Sequence, residues 1–112
     1  MKLVRFQSGT RTGYGVWEND TVREIVGSVY GDFRLGSATH GIGDVRLLAP
    51  AEPTKILCVG LNFRNHIEEI GFPTPKHPAH FLKPLTTLIG PGDPIVIPRV
   101  AERVDYEGEP AV

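Results

Sequence analysis

Alternating apolar and polar positions mark the first part of the chain, and short apolar runs cut by prolines mark the rest. Residues 1–6, MKLVRF, set Leu3, Val4 and Phe6 among basic positions and predict a strand. In GYGVWENDTVREIVG (13–27), Val16 and Trp17 precede the polar pair Asn19-Asp20. Beyond that pair, Val22, Glu24 and Val26 alternate with Arg23 and Ile25. Asparagine and aspartate tolerate the positive φ of a tight turn, so this stretch predicts a hairpin. Residues 28–44 are rich in glycine and serine with scattered aromatics, and their pattern assigns no element. DVRLLAP (44–50) predicts a short strand.

Pro50 and Pro53 in APAEPT (49–54) remove backbone donors and hold their predecessors extended. The segment reads as a linker between a small domain, 1–50, and a second unit, 51–112. KILCVG (55–60) is a β-branched apolar run of the kind that fills a buried strand, with Cys58 as a small core residue. NFRNHIEEIG (62–71) predicts a short helix, with Asn62 or Asn65 as N-cap and Gly71 closing it. FPTPKHPAH (72–80) holds three prolines and predicts an irregular loop. FLKP (81–84) and IVIP (95–98) predict short strands around the turn-rich GPGDP (90–94), where Asp93 is a turn residue. VDYEGEPAV (104–112) predicts the start of another strand. His40, His77 and His80 fall in predicted loops, at separations that match no metal-ligand spacing.

Composition narrows the class. The 112 residues carry 12 basic and 13 acidic side chains, a net charge of −1, with 13 glycines and 10 prolines. That balance gives no pull toward nucleic acid or an anionic membrane, and no apolar run reaches the length of a membrane-spanning helix. The N-terminus lacks the pattern of a secretory leader. One cysteine cannot form an internal disulfide and suits a reducing cytosol, so a cytoplasmic protein is expected.

Two constellations carry possible chemistry. On an extended chain Glu107 and Glu109 point the same way, their Cβ atoms roughly 7 Å apart. Two carboxylates that close repel unless a cation lies between them, and hard oxygen donors suit Mg²⁺, Ca²⁺ or Mn²⁺. The plainer reading is a solvated acidic face. His66 and Glu69 are three apart and share one helical face, where a carboxylate can orient a histidine base. The plainer reading there is a surface contact. Lys83 can neutralise a substrate carboxylate or merely be solvated.

Taken in order, KILCVGLNFRNHIEEIG, the P-x-x-P that follows, FLKPLTTLIGPGDPIVIP and VDYEGE resemble the fumarylacetoacetate hydrolase family. Residues 1–50 resemble the small domain that precedes the catalytic domain in many bacterial members. The resemblance implies a mainly β (α+β) protein: a small β-rich N-terminal domain, then the opening strands of a mixed β-sandwich roll. It implies that Glu107 and Glu109 are ligands of a catalytic Mg²⁺ or Mn²⁺, and that His66 and Glu69, preceded by Asn62 and Phe63, form a His–Glu dyad. Asn62 and Lys83 then face the substrate. The metal would grip adjacent oxo and carboxylate oxygens, polarise the carbonyl and stabilise the enolate that develops. The outcomes implied are C–C hydrolysis of an acylpyruvate, decarboxylation of an oxo acid, or isomerisation of a dienoic acid, in a protein that pairs as a homodimer.

Three departures set limits on this transfer. The family's third metal carboxylate, an aspartate, lies beyond the E-x-E segment, so a truncated, split or remnant catalytic unit is expected. Pro110 replaces a usual leucine and removes a strand donor. The apolar runs at 55–60 and 81–85 would stand exposed without further strands to cover them. A non-catalytic interaction module that keeps the family's sequence is the alternative these departures favour.

Overall fold

A computed structural model describes residues 1–111; Val112, the last residue of the strand predicted over 104–112 and of the unit 51–112, lies outside the described residues. The fold is mainly β. Strands β1 (Lys2–Ser8), β2 (Arg11–Glu18), β3 (Thr21–Gly27), β4 (Phe33–Gly41) and β5 (Arg46–Leu48) form one antiparallel sheet in the order β4-β3-β2-β1-β5. Strands β6 (Ile56–Gly60) and β7 (Ala79–Lys83) form a second, two-stranded antiparallel sheet. The single α-helix among the described residues, α1 (Arg64–Ile70), connects its strands.

The hairpin predicted over 13–27 is present, with Glu18 paired to Thr21 across Asn19-Asp20. Asn19 takes φ 51°, as the turn requires, and its carbonyl accepts a bond from Trp17 Nε1 at 2.7 Å. Phe6, Val16 and Val22 are the buried apolar residues of the five-stranded sheet, and the register sets Phe6 and Val22 on one face and Val16 on the other. Gly15 shares the face of Phe6 and Val22, where nothing larger fits: a Cβ there would stand 2.5 Å from Val22 Cγ1. The unassigned stretch 28–44 forms β4 and a 3₁₀ turn at Ile42–Asp44. A register shift between Arg23 and Ile25 interrupts the β3–β4 pairing.

Several expectations are corrected here. His40 is not in a loop but in β4, half-buried, with Nε2 2.8 Å from Glu24 Oε1 and its ring 5.2 Å from that of Phe6. His80 is likewise in a strand, opposite Val59. Residues 95–98 form no strand: prolines at 94 and 98 bracket them and no neighbour offers a ladder among the described residues. Residues 104–111 are also without regular structure, since an extended segment becomes a strand only against a partner and Pro110 brings no N–H. The β6 run is not buried; Leu57 and Val59 stay 61% and 40% exposed. Asp93 does act in a turn, accepting from the Gly90 N–H at 2.8 Å and from Arg46 at 2.6 Å.

Outside the five-stranded sheet packing is thin. Ile67 of α1 is the one buried apolar residue beyond β3 among the described residues, while Phe72, Leu82, Ile95, Val96, Ile97 and Val100 are exposed. The radius of gyration is 18.3 Å, against about 13 Å for a close-packed domain of this length. The chain is therefore a packed sheet followed by an open, largely uncovered strand pair.

Candidate active site

The chain turns sharply between β6 and α1, and that turn builds a cleft. Leu61, just after β6, takes the left-handed conformation with φ 56°, unusual for a residue with a side chain. Such strain persists where the surroundings over-determine it and concentrates at functional sites. Phe63 then occupies the N-cap position with no side-chain cap, which corrects the expectation that Asn62 or Asn65 fills it. At the far end the expectation holds. Gly71 has φ 71°, its N–H bonds to Glu68 O and that of Phe72 to Ile67 O, both at 3.2 Å, so a Schellman pair closes the helix.

The buried anchor Ile67 fixes the helix, and the preceding residue, His66, lines the cleft. His66 and Glu69 share a face as the spacing predicts, with Nδ1 3.6 Å from Glu69 Oε2. On the other side of the ring, Nε2 lies 3.8 Å from Glu107 Oε1. Both are charge-contact distances rather than hydrogen bonds. The imidazole thus sits between two carboxylates, one from its own helix and one 41 positions along the sequence. The side chains are 43% exposed for His66 and about 70% for both glutamates.

Glu107, Gly108 and Glu109 form part of the cleft wall although their segment is not a strand. Strand alternation, argued above for the two carboxylates, is therefore not what brings them to the cleft. Lys83 and Asn62 also line the cleft. Lys83 ends β7 opposite Ile56, and its Nζ stands 5.9 Å from the centre of the Phe81 ring. The cleft measures about 350 Å³, within the range that takes small-molecule ligands. All six residues singled out in the sequence, Asn62, His66, Lys83, Glu107, Glu109 and, through its contact with His66, Glu69, come together around it.

Sequence reading missed Cys58, Leu61, Phe63 and Phe81, which complete the wall. Two of them were within reach. Register pairs Cys58 with Phe81 and Ile56 with Lys83, so these four side chains share one face of the two-stranded sheet, as a period of two in FLK demands. The positive φ of Leu61 had no sequence signal, because leucine ordinarily avoids it.

Two oxygen-donor carboxylates in one cleft fit a hard divalent cation in donor type. Among the described residues no group of three histidine, cysteine, aspartate or glutamate side chains stands close enough to hold one. Glu107 and Glu109 can then supply only part of a coordination shell, the rest falling to water or to ligand oxygens.

Comparison with known proteins agrees with the layout. The family described as fumarylacetoacetate (FAA) hydrolase C-terminal matches residues 55–112, and that described as Rv2993c-like, N-terminal matches residues 1–50. Protein Rv2993c of Mycobacterium tuberculosis is 44% identical over 92 residues, covering 82% of this chain and 35% of its own. Oxaloacetate tautomerase fahd2, mitochondrial, of Xenopus laevis is 44% identical over 67 residues, 59% of this chain and 21% of its own. Among solved structures, 5-carboxymethyl-2-hydroxymuconate delta-isomerase from Mycobacterium smegmatis superimposes with a TM-score of 0.70 at 33% identity, covering 85% of this chain and 37% of that one. The chain spans about a fifth to a third of the length of the curated relatives it matches.

Proposed function

The chain belongs to the fumarylacetoacetate hydrolase family, and from that membership we propose that its cleft serves proton transfer at carbon in a small oxo acid, with a divalent cation, Mg²⁺ or Mn²⁺, held by Glu107 and Glu109. The observation that carries this reading is the convergence of His66, Lys83 and both glutamates on one cleft from three separated segments. Two relatives with printed activities, an oxaloacetate tautomerase and a muconate delta-isomerase, both relocate a proton and a double bond, which supports the same class for this chain.

His66 acts as the base. With Glu69 beside Nδ1, the ring is oriented, which leaves Nε2 directed to the Glu107 side. Nε2 takes the proton from the carbon beside the oxo group, and the electron pair of the broken C–H bond moves onto the oxo oxygen. Return of that proton at another carbon completes an isomerisation; in the decarboxylating variant the C–C bond to a carboxylate breaks instead, releasing carbon dioxide and leaving the enolate, and in the hydrolytic variant His66 takes a proton from water, whose oxygen adds to a carbonyl carbon before the C–C bond breaks and the enolate leaves. Lys83 neutralises the substrate carboxylate, and the Asn62 amide, with both donor and acceptor atoms, holds a substrate oxygen. A cation bound by the two glutamates would supply Lewis-acid polarisation of the oxo group. The small oxo acid is the one partner this reading needs, and pairing of two copies belongs to the same proposal.

Titrating Mn²⁺ into the purified chain, followed by the loss of free-ion electron paramagnetic resonance signal, tests the carboxylate role. The expected result is saturable binding weakened at least tenfold in both Glu107→Ala and Glu109→Ala. Binding unchanged in both variants would remove the cation from the cleft.

A further inference from the structure

Two arginines of the five-stranded sheet reach the chain on either side of the β6–β7 pair. Arg5, on β1, puts Nη2 2.5 Å from Glu52 Oε1 in the linker. Arg46, on the outermost strand β5, donates to Asp93 at 2.6 Å. Glu52 lies four positions before β6 and Asp93 ten after β7, so the two ion pairs hold the strand pair at both of its chain ends. The second hold is backed by main chain. Asp93 closes the 90–93 turn by accepting the Gly90 N–H at 2.8 Å, and that turn rests against the backbone of β5. A Cβ at Gly90 would stand 3.1 Å from Ala49 N and 3.2 Å from Leu47 O, a close approach that suits glycine. The Arg46 guanidinium, and after it the Gly90 N–H, holds the Asp93 carboxyl below the usual carboxylate range, so this partner is ionised.

Phe6, Val16, Val22 and Ile67 are the buried apolar residues among the described residues, too few to make a broad apolar interface between the sheet and the strand pair. Units without such an interface ordinarily move relative to one another. Pro50 and Pro53 stiffen the linker but leave rotation about its other bonds. We propose that Arg5 and Arg46 are positioning residues: through Glu52 and Asp93 they seat the β6–β7 unit on the five-stranded sheet, as a latch that salt releases. In each pair one side chain is largely withdrawn from water, Arg5 at 16% and Asp93 at 25% exposure. Its partner faces solvent, Glu52 at 67% and Arg46 at 63%. Pairs of this kind hold while unscreened and weaken as ions gather round them. The latch stands apart from the chemistry proposed for the cleft and does not rest on it.

The test is ¹⁵N relaxation of the full chain, which gives rotational correlation times for amides in β1–β3 and in β6–β7. At about 0.01 M sodium chloride the two sets share one time. At about 1 M the screening length has fallen roughly tenfold, to about 3 Å, and the time for β6–β7 drops by about a third as that unit moves on its own. Arg5→Gln/Arg46→Gln shows the drop already at low salt; Arg5→Lys/Arg46→Lys, which keeps both charges, restores the shared time. The salt series uses the unaltered chain and decides the matter whatever the variants do to folding. Separate times at low salt in the unaltered chain, or a shared time that persists at high salt, overturns the latch. So does a glutamine pair that still tumbles as one body, or a lysine pair that behaves like the glutamine pair.

Discussion

The base role proposed for His66 rests on position rather than on a tight hydrogen bond. Its two nitrogens face carboxylates at 3.6 and 3.8 Å, so the ring is electrostatically framed. A base at that place is worth on the order of 10²- to 10⁴-fold in rate. His66→Asn is expected to lower turnover of an oxo acid by that factor while leaving Mn²⁺ affinity within twofold; steady-state kinetics beside the metal titration checks both. Tyr14, in the five-stranded sheet, has its phenol pushed up to about 12, chiefly by burial and then by its neighbour Tyr30. The neutral phenol is the form the fold favours. Its contribution to stability is complete below about pH 10, the value of an unfolded tyrosine, and is lost as pH rises toward 12. Tyr14→Phe should remove a tyrosinate transition near pH 12 from the ultraviolet titration and flatten the fall in stability above pH 10.

At the scale of elements, the contrast between the two sheets explains what the sequence made legible. β1, β2 and β3 could be read because apolar and polar positions alternate along them, and the Asn19-Asp20 turn fixes the register. Gly15 is the point of closest packing, and Gly15→Ala forces a methyl against Val22 and the Arg23 carbonyl. Overpacking of this kind costs about 1–3 kcal/mol, which chemical denaturation will show as a lower midpoint at unchanged slope. β4 escaped the reading because its apolar positions are few, Phe33 and Leu35 among polar and small residues. His40 went with it, because a histidine opposite Val22 is half-covered by its strand partner rather than by its own neighbours in sequence. The strands predicted at 95–98 and 104–112 were over-read for the opposite reason. Their composition suits extended backbone, but ladder bonds depend on a partner that composition does not report.

Across the whole molecule, the mainly β fold was legible, while His66, Glu69, Glu107 and Glu109 were singled out through the ordered run of motifs, since their short spacings alone also fit a solvated surface; Phe81 and Leu61 line the cleft only through register and a strained turn. The cleft draws on α1, on β7 and on the segment around Glu107, so it exists only if residues far apart in sequence meet. Polar side chains also gather elsewhere: Glu24, His40 and Arg11 line a smaller cavity of about 200 Å³ on the five-stranded sheet, where Glu24 already has Arg11 and His40 as neighbours. A divalent cation is therefore expected to choose the Glu107–Glu109 cleft over that network. The direct measurement is paramagnetic broadening by substoichiometric Mn²⁺ in the amide and aromatic spectra of the chain. The signals of His66, Phe81 and residues 107–109 should vanish first, with Glu24 and His40 untouched; broadening centred on Glu24 and His40, or spread evenly over the acidic surface, would contradict a cation site in the cleft.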